Sequence, residues 1–340
     1  MNYIVLDLEW NQSSTGKEPE VARMPFEIIE IGAVKLNEEL KMISEFSELI
    51  KPQVYLHMHH ITSKLIHLQM KELQRGDSFQ NVSDRFLKWC GEDYRFVTWG
   101  PTDLTELQRN LRFFEKPLLR EGPISFFDAQ KLFSLAYEED IRIRRNLEYA
   151  VDFLKIEKDI PFHRAFSDAY YTAKVLDKIL GEHPELIRFE SFDVTIPPRD
   201  KASEIHRNFG TYEKYISREF ESRDQLLQDK EVFTLNCYKC GKSIRKKIHW
   251  FSGNGKNYLS LGKCEIHGFV KGKLRMQKSE NEKVFVVKTV KIVPPEEAKK
   301  VETKHNKAVE LKKKHKNSSG AKKPIATKPG KTEGYTEVIT

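Results

Sequence analysis

Residues 1–12 read MNYIVLDLEWNQ, and the fold turns on how the segment from Tyr3 to Glu9 is taken. Tyr3-Ile4-Val5-Leu6 is an aromatic and branched apolar run of the kind that builds strands. Side chains alternate across a strand, so Asp7 and Glu9 share one face while Leu6 and Leu8 take the other. Two carboxylates side by side at the end of an apolar strand repel each other. Either a divalent cation lies between them, or the strand ends in water, where acidic groups are cheap.

Outward from this strand, similar runs occur at Ile28–Leu36, Ile43–Ile50, Arg95–Trp99 and Ile124–Phe127. Amphipathic helical patterns occupy Ser78–Cys90, Asp103–Phe113, Asn146–Leu154 and Phe166–Leu180. The first three strands are close enough in sequence for an antiparallel meander, whereas the later ones alternate with helices. The expected fold class is α/β, a mixed sheet flanked by helices over residues 1–182. Residues 183–232, with a turn at Pro197-Pro198 and a charged helical pattern around Tyr212–Leu227, read as a helical extension. Residues 233–293 read as a small β-rich module. Beyond Pro294-Pro295 the Lys-, Ser- and Gly-rich run of residues 294–340 reads as a disordered basic tail.

The chain has 340 residues and a net charge of +8 that is unevenly spread. Residues 294–340 hold 12 Lys against 6 Glu, and residues 233–293 hold 14 Lys and Arg against 3 Glu, which leaves residues 1–232 at −9. An acidic module joined to a basic one is the pattern expected when a carboxylate-rich site is fed by a binder of polyanions. No stretch approaches the roughly 20 apolar residues of a membrane helix, and the N-terminus lacks a basic region followed by an apolar core. A soluble, cytoplasmic protein without membrane association is expected. The 4 cysteines are too few and too widely spaced for a disulfide framework.

Two further segments carry acidic candidates. In FVTWGPTDLTELQRN (96–110) a strand ends at Trp99-Gly100 and a helix begins near Asp103; in PFHRAFSDAYYTAKVL (161–176) a helix carries Asp168 in its opening turns, with His163 just ahead of it. Singly, Asp103 reads as a helix cap and His163 as a packed or surface histidine. Together with Asp7 and Glu9 they supply carboxylates and an imidazole at the ends of elements. This set resembles the DEDDh-type 3′-5′ exonucleases, the family that includes proofreading subunits, ribonuclease T and oligoribonuclease. FEIIEIGAVKLN (26–37) and NLEYAVDFLKI (146–156) resemble the family's second strand and its helix before the last motif. The likeness extends over roughly residues 1–182 and is nearest the branch that trims small and structured RNAs.

The resemblance implies a ribonuclease H-like sheet and hydrolysis of phosphodiester bonds at the 3′ end of single-stranded RNA or DNA. It further implies two Mg2+ or Mn2+ ions about 4 Å apart. In that scheme Asp7 bridges both ions, Glu9 and Asp168 complete the first site, and Asp103 holds the second through water. His163, whose type titrates near pH 6.5, takes a proton from water. Trp10 and Phe26 are either core residues or a stacking surface for the terminal base. The run His57-Met58-His59-His60 is expected to be a loop with surface histidines rather than a metal centre.

In the basic module, Cys237-Tyr-Lys-Cys240-Gly241 and Cys264-Glu-Ile-His267-Gly268 form two matching half-sites. Thiolates and imidazole so spaced suit one structural zinc, with a redox dithiol as the alternative. Arg245, Lys246, Lys247 and Trp250, basic residues interleaved with an aromatic, are candidates for gripping phosphates and stacking bases, or else solvated lysines around a small core. The reading that unites these features is a two-metal 3′-5′ exonuclease with a zinc-ribbon-like module that holds the strand. The rivals are a DNA-trimming enzyme and a non-catalytic nucleic-acid-binding protein that retains the fold.

Overall fold

The computed structural model describes residues 1–14, 19–66 and 68–319. The chain divides into two compact units, the first made of residues 1–232 and 276–288, the second of the remainder.

The first unit contains a six-stranded sheet of β1 (Asn2–Asn11), β2 (Glu27–Leu36), β3 (Met42–Leu49), β4 (Tyr94–Thr98), β5 (Ile124–Asp128) and β6 (Ser191–Asp193), in the order β3-β2-β1-β4-β5-β6. β1, β2 and β3 are antiparallel, β4 and β5 run parallel to β1, and β6 returns antiparallel. This mixed α/β arrangement is the class expected from the spacing of strands and helices, and it is the ribonuclease H-like sheet that the resemblance implies. The helices of this unit are α1 (His60–Ile66), α2 (Met70–Leu73), α3 (Phe79–Cys90), α4 (Thr102–Phe113), α5 (Ala129–Tyr137), α6 (Leu147–Phe153), α7 (Ala165–Glu182) and α8 (Arg223–Gln228).

Strand alternation sorts the core into two layers. Tyr3 and Val5 of β1, with Val34 and Leu36 of β2, pack under α5, α6 and α7. Ile4, Leu6 and Leu8 pack on the opposite face under α3 and α4. Asp7 and Glu9 therefore continue the row of Tyr3 and Val5, at the end of the sheet where that apolar layer stops.

The stretch expected to be a helical extension is largely extended chain. β6 completes the main sheet, and β7 (Ile205–Asn208) and β8 (Glu213–Ile216) form an antiparallel pair, with helix limited to a 3-10 turn at Pro184–Arg188, to α8 and to α9 (Lys230–Phe233). The charged periodicity of residues 212–227 misled because Tyr215 and Ile216 are buried as strand residues.

The second unit is built on β9 (Arg245–Ser252), β10 (Asn257–Cys264), β11 (Gly268–Lys278) and β12 (Val284–Ile292), with β10 antiparallel to both β9 and β11. The far ends of β11 and β12, residues 276–288, belong to the first unit. There the Val286 carbonyl accepts the Ser217 amide at 3.1 Å, and Glu280 pairs with Arg109 and Arg112 of α4.

The expectation of a disordered tail is corrected for its first part: α10 (Pro295–Ser319) is helical, while residues 320–340 lie outside the described residues. Proline opens the helix, Glu296 and Glu297 occupy its positive end, and Ala298 and Val301 bury themselves against Ile248, Leu261 and Val293. Composition argued for disorder because the helix has few apolar residues, but their spacing puts them on one face. No helix among the described residues is long and apolar enough to cross a membrane.

Candidate active site

A cavity of about 410 Å³ in the first unit is lined by Asp7, Glu9, Trp10, Asp103, His163 and Asp168, together with Trp99, Gln130, Asn146 and Phe162. One ligand oxygen from each of Asp7, Glu9 and Asp168 lies within 4.8 Å of the others. Asp103 stands beside this cluster with its Oδ1 accepting the Leu8 amide of β1 at 3.2 Å. It is not a helix cap, since Pro101 occupies the cap position of α4 and Asp103 sits in the first turn, aimed at β1. Gly100, at φ +97°, makes the reversal from β4 into α4.

Two features of β2 explain how Asp168 reaches Asp7. Gly32 lies directly opposite Asp7 in the sheet, and a Cβ there would come within 2.0 Å of the Phe166 amide nitrogen. Only a glycine lets the first turn of α7 rest on the strand backbone. Glu30 lies opposite Glu9, a like-charge pairing that would destabilise the sheet by itself. Arg164, the residue between His163 and α7, resolves it by gripping buried Glu30 through the Nε and Nη2 edge of its guanidinium at 2.8–3.2 Å. Sequence reading missed Gly32, Glu30 and Arg164, because their roles depend on strand register. The only local hint was the adjacency of Arg164 to His163.

His163 is exposed, at φ +66°, and its backbone amide donates to Asp168 Oδ1 at 3.3 Å. The loop ahead of it is tied down by Tyr171, whose hydroxyl donates to the Ile160 carbonyl at 2.6 Å and whose ring stacks on Phe162. Trp10 lines the cavity, and Phe26 touches it with ring centroids 5.5 Å apart. The pairing of β1 with β2 shifts register between Glu9 and Trp10, where β1 ends at the cavity. Asn110 of α4 holds the β2 strand opposite that shift, accepting the Ile28 amide and donating to the Phe26 carbonyl.

The expectation of surface histidines fails for His59. It is buried, its amide donates to Asn11 Oδ1 at 2.9 Å, and its ring contacts the Gln12 amide at 3.0 Å. Its loop is fixed from β1 and β2, with buried Glu27 accepting the amides of Gln53, Val54 and Tyr55. His57 and His60 are exposed as expected.

Electrostatics mark the carboxylates as an uncompensated set. Burial, then the charges of Asp103, Asp168, Glu9 and Glu30, push Asp7 well above the usual carboxylate range. Burial and Asp168 push Glu9 up to about 8, with Arg164 opposing. Burial raises Asp103 to about 7 against the Leu8 amide, and raises Asp168 against the His163 amide. Hard oxygen donors, crowded and short of positive charge, are the donor set that fits a hard divalent cation.

In the second unit Cys237, Cys240, Cys264 and His267 converge, their ligand atoms all within 4.8 Å of one another. Cys237 Sγ lies 3.4 Å from His267 Nδ1, and Cys240 Sγ lies 3.7 Å from Cys264 Sγ. Gly241 and Gly268, both at positive φ, close the two turns. Backbone amides of His267 and Ile266 aimed at Cys264 hold its thiol down at about 6, whereas burial raises Cys237. Soft donors at this spacing fit zinc.

The four proposed nucleic-acid contacts of this unit separate. Arg245 is exposed. Lys246 donates to the Phe233 carbonyl at 2.9 Å, and Lys247 pairs with Glu302 at 2.7 Å. Trp250 donates to the same Phe233 carbonyl at 2.7 Å and lies over Gly272, so it packs the module's core rather than offering an open stacking face.

The family model described as RNase_T: Exonuclease matches residues 4–176, just over half of the chain. The chain therefore belongs to this exonuclease family. A search of curated proteins finds no match. Among solved structures, the nuclease domain of 3′hExo, a DEDDh family member bound to rAMP, is 19% identical with a TM-score of 0.46, over 54% of this chain and 92% of that one. A 3′-exonuclease recognising the histone mRNA stem-loop is 19% identical with a TM-score of 0.45, over 54% of this chain and 64% of that one. Exonuclease I of E. coli in complex with a dT13 oligonucleotide is 12% identical with a TM-score of 0.41, over 55% of this chain and 42% of that one.

Proposed function

We propose that this protein is a metal-dependent 3′-to-5′ exonuclease that removes nucleotides from single-stranded nucleic acid, RNA in preference to DNA. The observation that carries the reading is the convergence of Asp7, Glu9 and Asp168 within 4.8 Å, in a cavity that Asp103 and His163 also line. Asp7, Glu9 and Asp168 would hold one Mg2+ or Mn2+, and Asp7 with Asp103 a second. When bound, such ions neutralise charge on the phosphate and make water more acidic. His163, on the exposed rim, accepts the proton of the attacking water and passes it to solvent. Trp10 receives the face of the terminal base, a contact that tolerates any sequence. The RNA preference rests on the likeness of residues 26–37 to the small-RNA-trimming branch.

In the second unit, Cys237, Cys240, Cys264 and His267 would hold one structural zinc, and the unit as a whole would retain the strand. Its described residues, 233–275 and 289–319, carry 19 Lys and Arg against 5 Glu.

The test is digestion of single-stranded RNA and DNA oligomers labelled at either end, with Mg2+, Mn2+ or chelator. Mononucleotide release from the 3′ end, dependent on metal and faster on RNA, is expected. His163→Ala should lower the single-turnover rate by about 100-fold or more with little change in binding. Faster cleavage of DNA would select the DNA-trimming alternative, and binding without cleavage would select the non-catalytic one.

A further inference from the structure

We infer that a cleft in the second unit, between the β9–β10 turn and α10, is a subsite for an unstacked base of the single-stranded substrate and its flanking phosphates. The inference rests on the nucleic-acid reading above and moves the contact away from Trp250.

The cleft has a volume of about 340 Å³ and is floored by Phe251, Leu259 and Leu311. Its α10 wall bears Lys304 and Lys307, both exposed and, among the described residues, without an ion-pair partner, and no acidic residue is among the described residues that line it. An apolar floor able to take a π face, with cations at one rim, matches a base and its phosphates. A purely apolar ligand would have no use for the lysines.

Both walls are formed in advance. In the turn, Ser252 Oγ accepts the Gly255 amide at 2.9 Å, and Asn254 Oδ1 accepts those of Lys256 and Asn257 at 3.0 and 2.9 Å. The helix wall is fixed by buried Ala298 and Val301 and by His305, whose ring meets Phe251 edge-on at 4.9 Å. Charge complementarity selects the occupant. The described part of this unit is strongly basic, which favours a polyanion over the apolar face of another protein.

The test measures dissociation constants of the full chain for a fluorescent RNA homopolymer of about 20 nucleotides at two salt concentrations. Phe251→Leu keeps an apolar floor but loses the ring, and should weaken binding by about 5-fold or more. Lys304→Glu with Lys307→Glu should weaken it further and flatten the salt slope by about 1.4, whereas the corresponding arginine pair should bind as the parent does. Unchanged zinc content and circular dichroism would verify folding of each variant. Metal-dependent cleavage of a dinucleotide separates the two readings. If the parent cleaves and every variant binds normally, the cleft inference alone falls. Loss of binding in the lysine variant with none in Phe251→Leu would mean attraction without a base subsite, and would overturn it too. Weakened binding by the variants of a parent that cleaves nothing would sink the exonuclease reading and leave the cleft standing. Binding of a fluorescent acidic peptide that is lost in the Phe251 and lysine variants, and that unlabelled RNA does not displace, would assign the cleft to a protein partner and overturn the inference.

Discussion

The carboxylate centre and the cysteine–histidine centre each draw on four side chains, yet the chain assembles them in contrasting ways. Asp7, Glu9, Asp103 and Asp168 come from three segments spread along the first unit, repel one another, and are held together only because β1, α4 and α7 are fixed by their packing. Cys237, Cys240, Cys264 and His267 come from two short turns whose own glycines and amides already aim the ligands inward. The first centre is imposed by the fold on unwilling residues, and a cation relieves it. The second belongs to a small unit whose local structure would depend on the zinc proposed for it. Metal should therefore matter to activity in one unit and to folding in the other.

The sharpest way to break this contrast is Asp7→Asn. Loss of nuclease activity by more than about 100-fold is expected, beyond the effect of residues that merely support a ligand. The metal-free variant should also melt at the same or a higher temperature, because a repelled buried charge is gone. A lower melting temperature would mean that Asp7 is structurally supported and that the two centres are alike.

The converse holds for Cys240→Ser. Metal analysis should fall from about one zinc per chain to none, and hydrogen exchange should rise across residues 233–275 while dinucleotide cleavage persists. Full protection of those strands without zinc would erase the contrast from the other side.

A smaller effect probes how the first centre is imposed. Gly32→Ala places a methyl group against the Phe166 amide, so α7 must move and carry Asp168 with it. Melting should drop by roughly 5 °C, with activity reduced more than stability alone would explain. An active variant of unchanged melting temperature would show that α7 does not need that close approach.

The smallest expected effect is in pH dependence, where the metal-free centres should slope in opposite directions. Glu9 at about 8 and Asp103 at about 7 lie above the values of an unfolded chain, so the folded state binds more protons. Their contribution is fully present below the ordinary carboxylate range and is lost as pH rises toward 8. Cys264, at about 6, lies below an unfolded thiol, so its contribution is present at high pH and is lost as pH falls through 6. Protection against exchange, corrected for the intrinsic rise of amide exchange with pH and followed in both units between pH 5.5 and 8.5 with chelator, should fall with pH in the first and rise in the second. Parallel slopes would refute the assigned environments.

Much of this was legible along the chain because it depends on local periodicity. Alternation placed Asp7 and Glu9 on one face, the strand-like runs are β1 to β5, and the amphipathic runs are α3, α4, α6 and α7 within a few residues. The two C-x-x-C/H half-sites could be read from spacing because short turns make them. What required tertiary structure was every relation that crosses elements. The approach of α7 to Gly32, the capture of Glu30 by Arg164, the burial of His59 under Asn11 and Gln12, and the return of residues 276–288 to the first unit leave no periodic trace. Trp250 and α10 make the same point in opposite senses, since an aromatic among lysines packed inward and a lysine-rich tail found an apolar groove. Sequence determined which carboxylates, thiols and imidazoles are candidates for the chemistry and on which face they stand, because backbone geometry sets that locally. Their distances, their partners and their charge states were decided by the register of strands and the packing of helices, which bring together residues far apart in the chain.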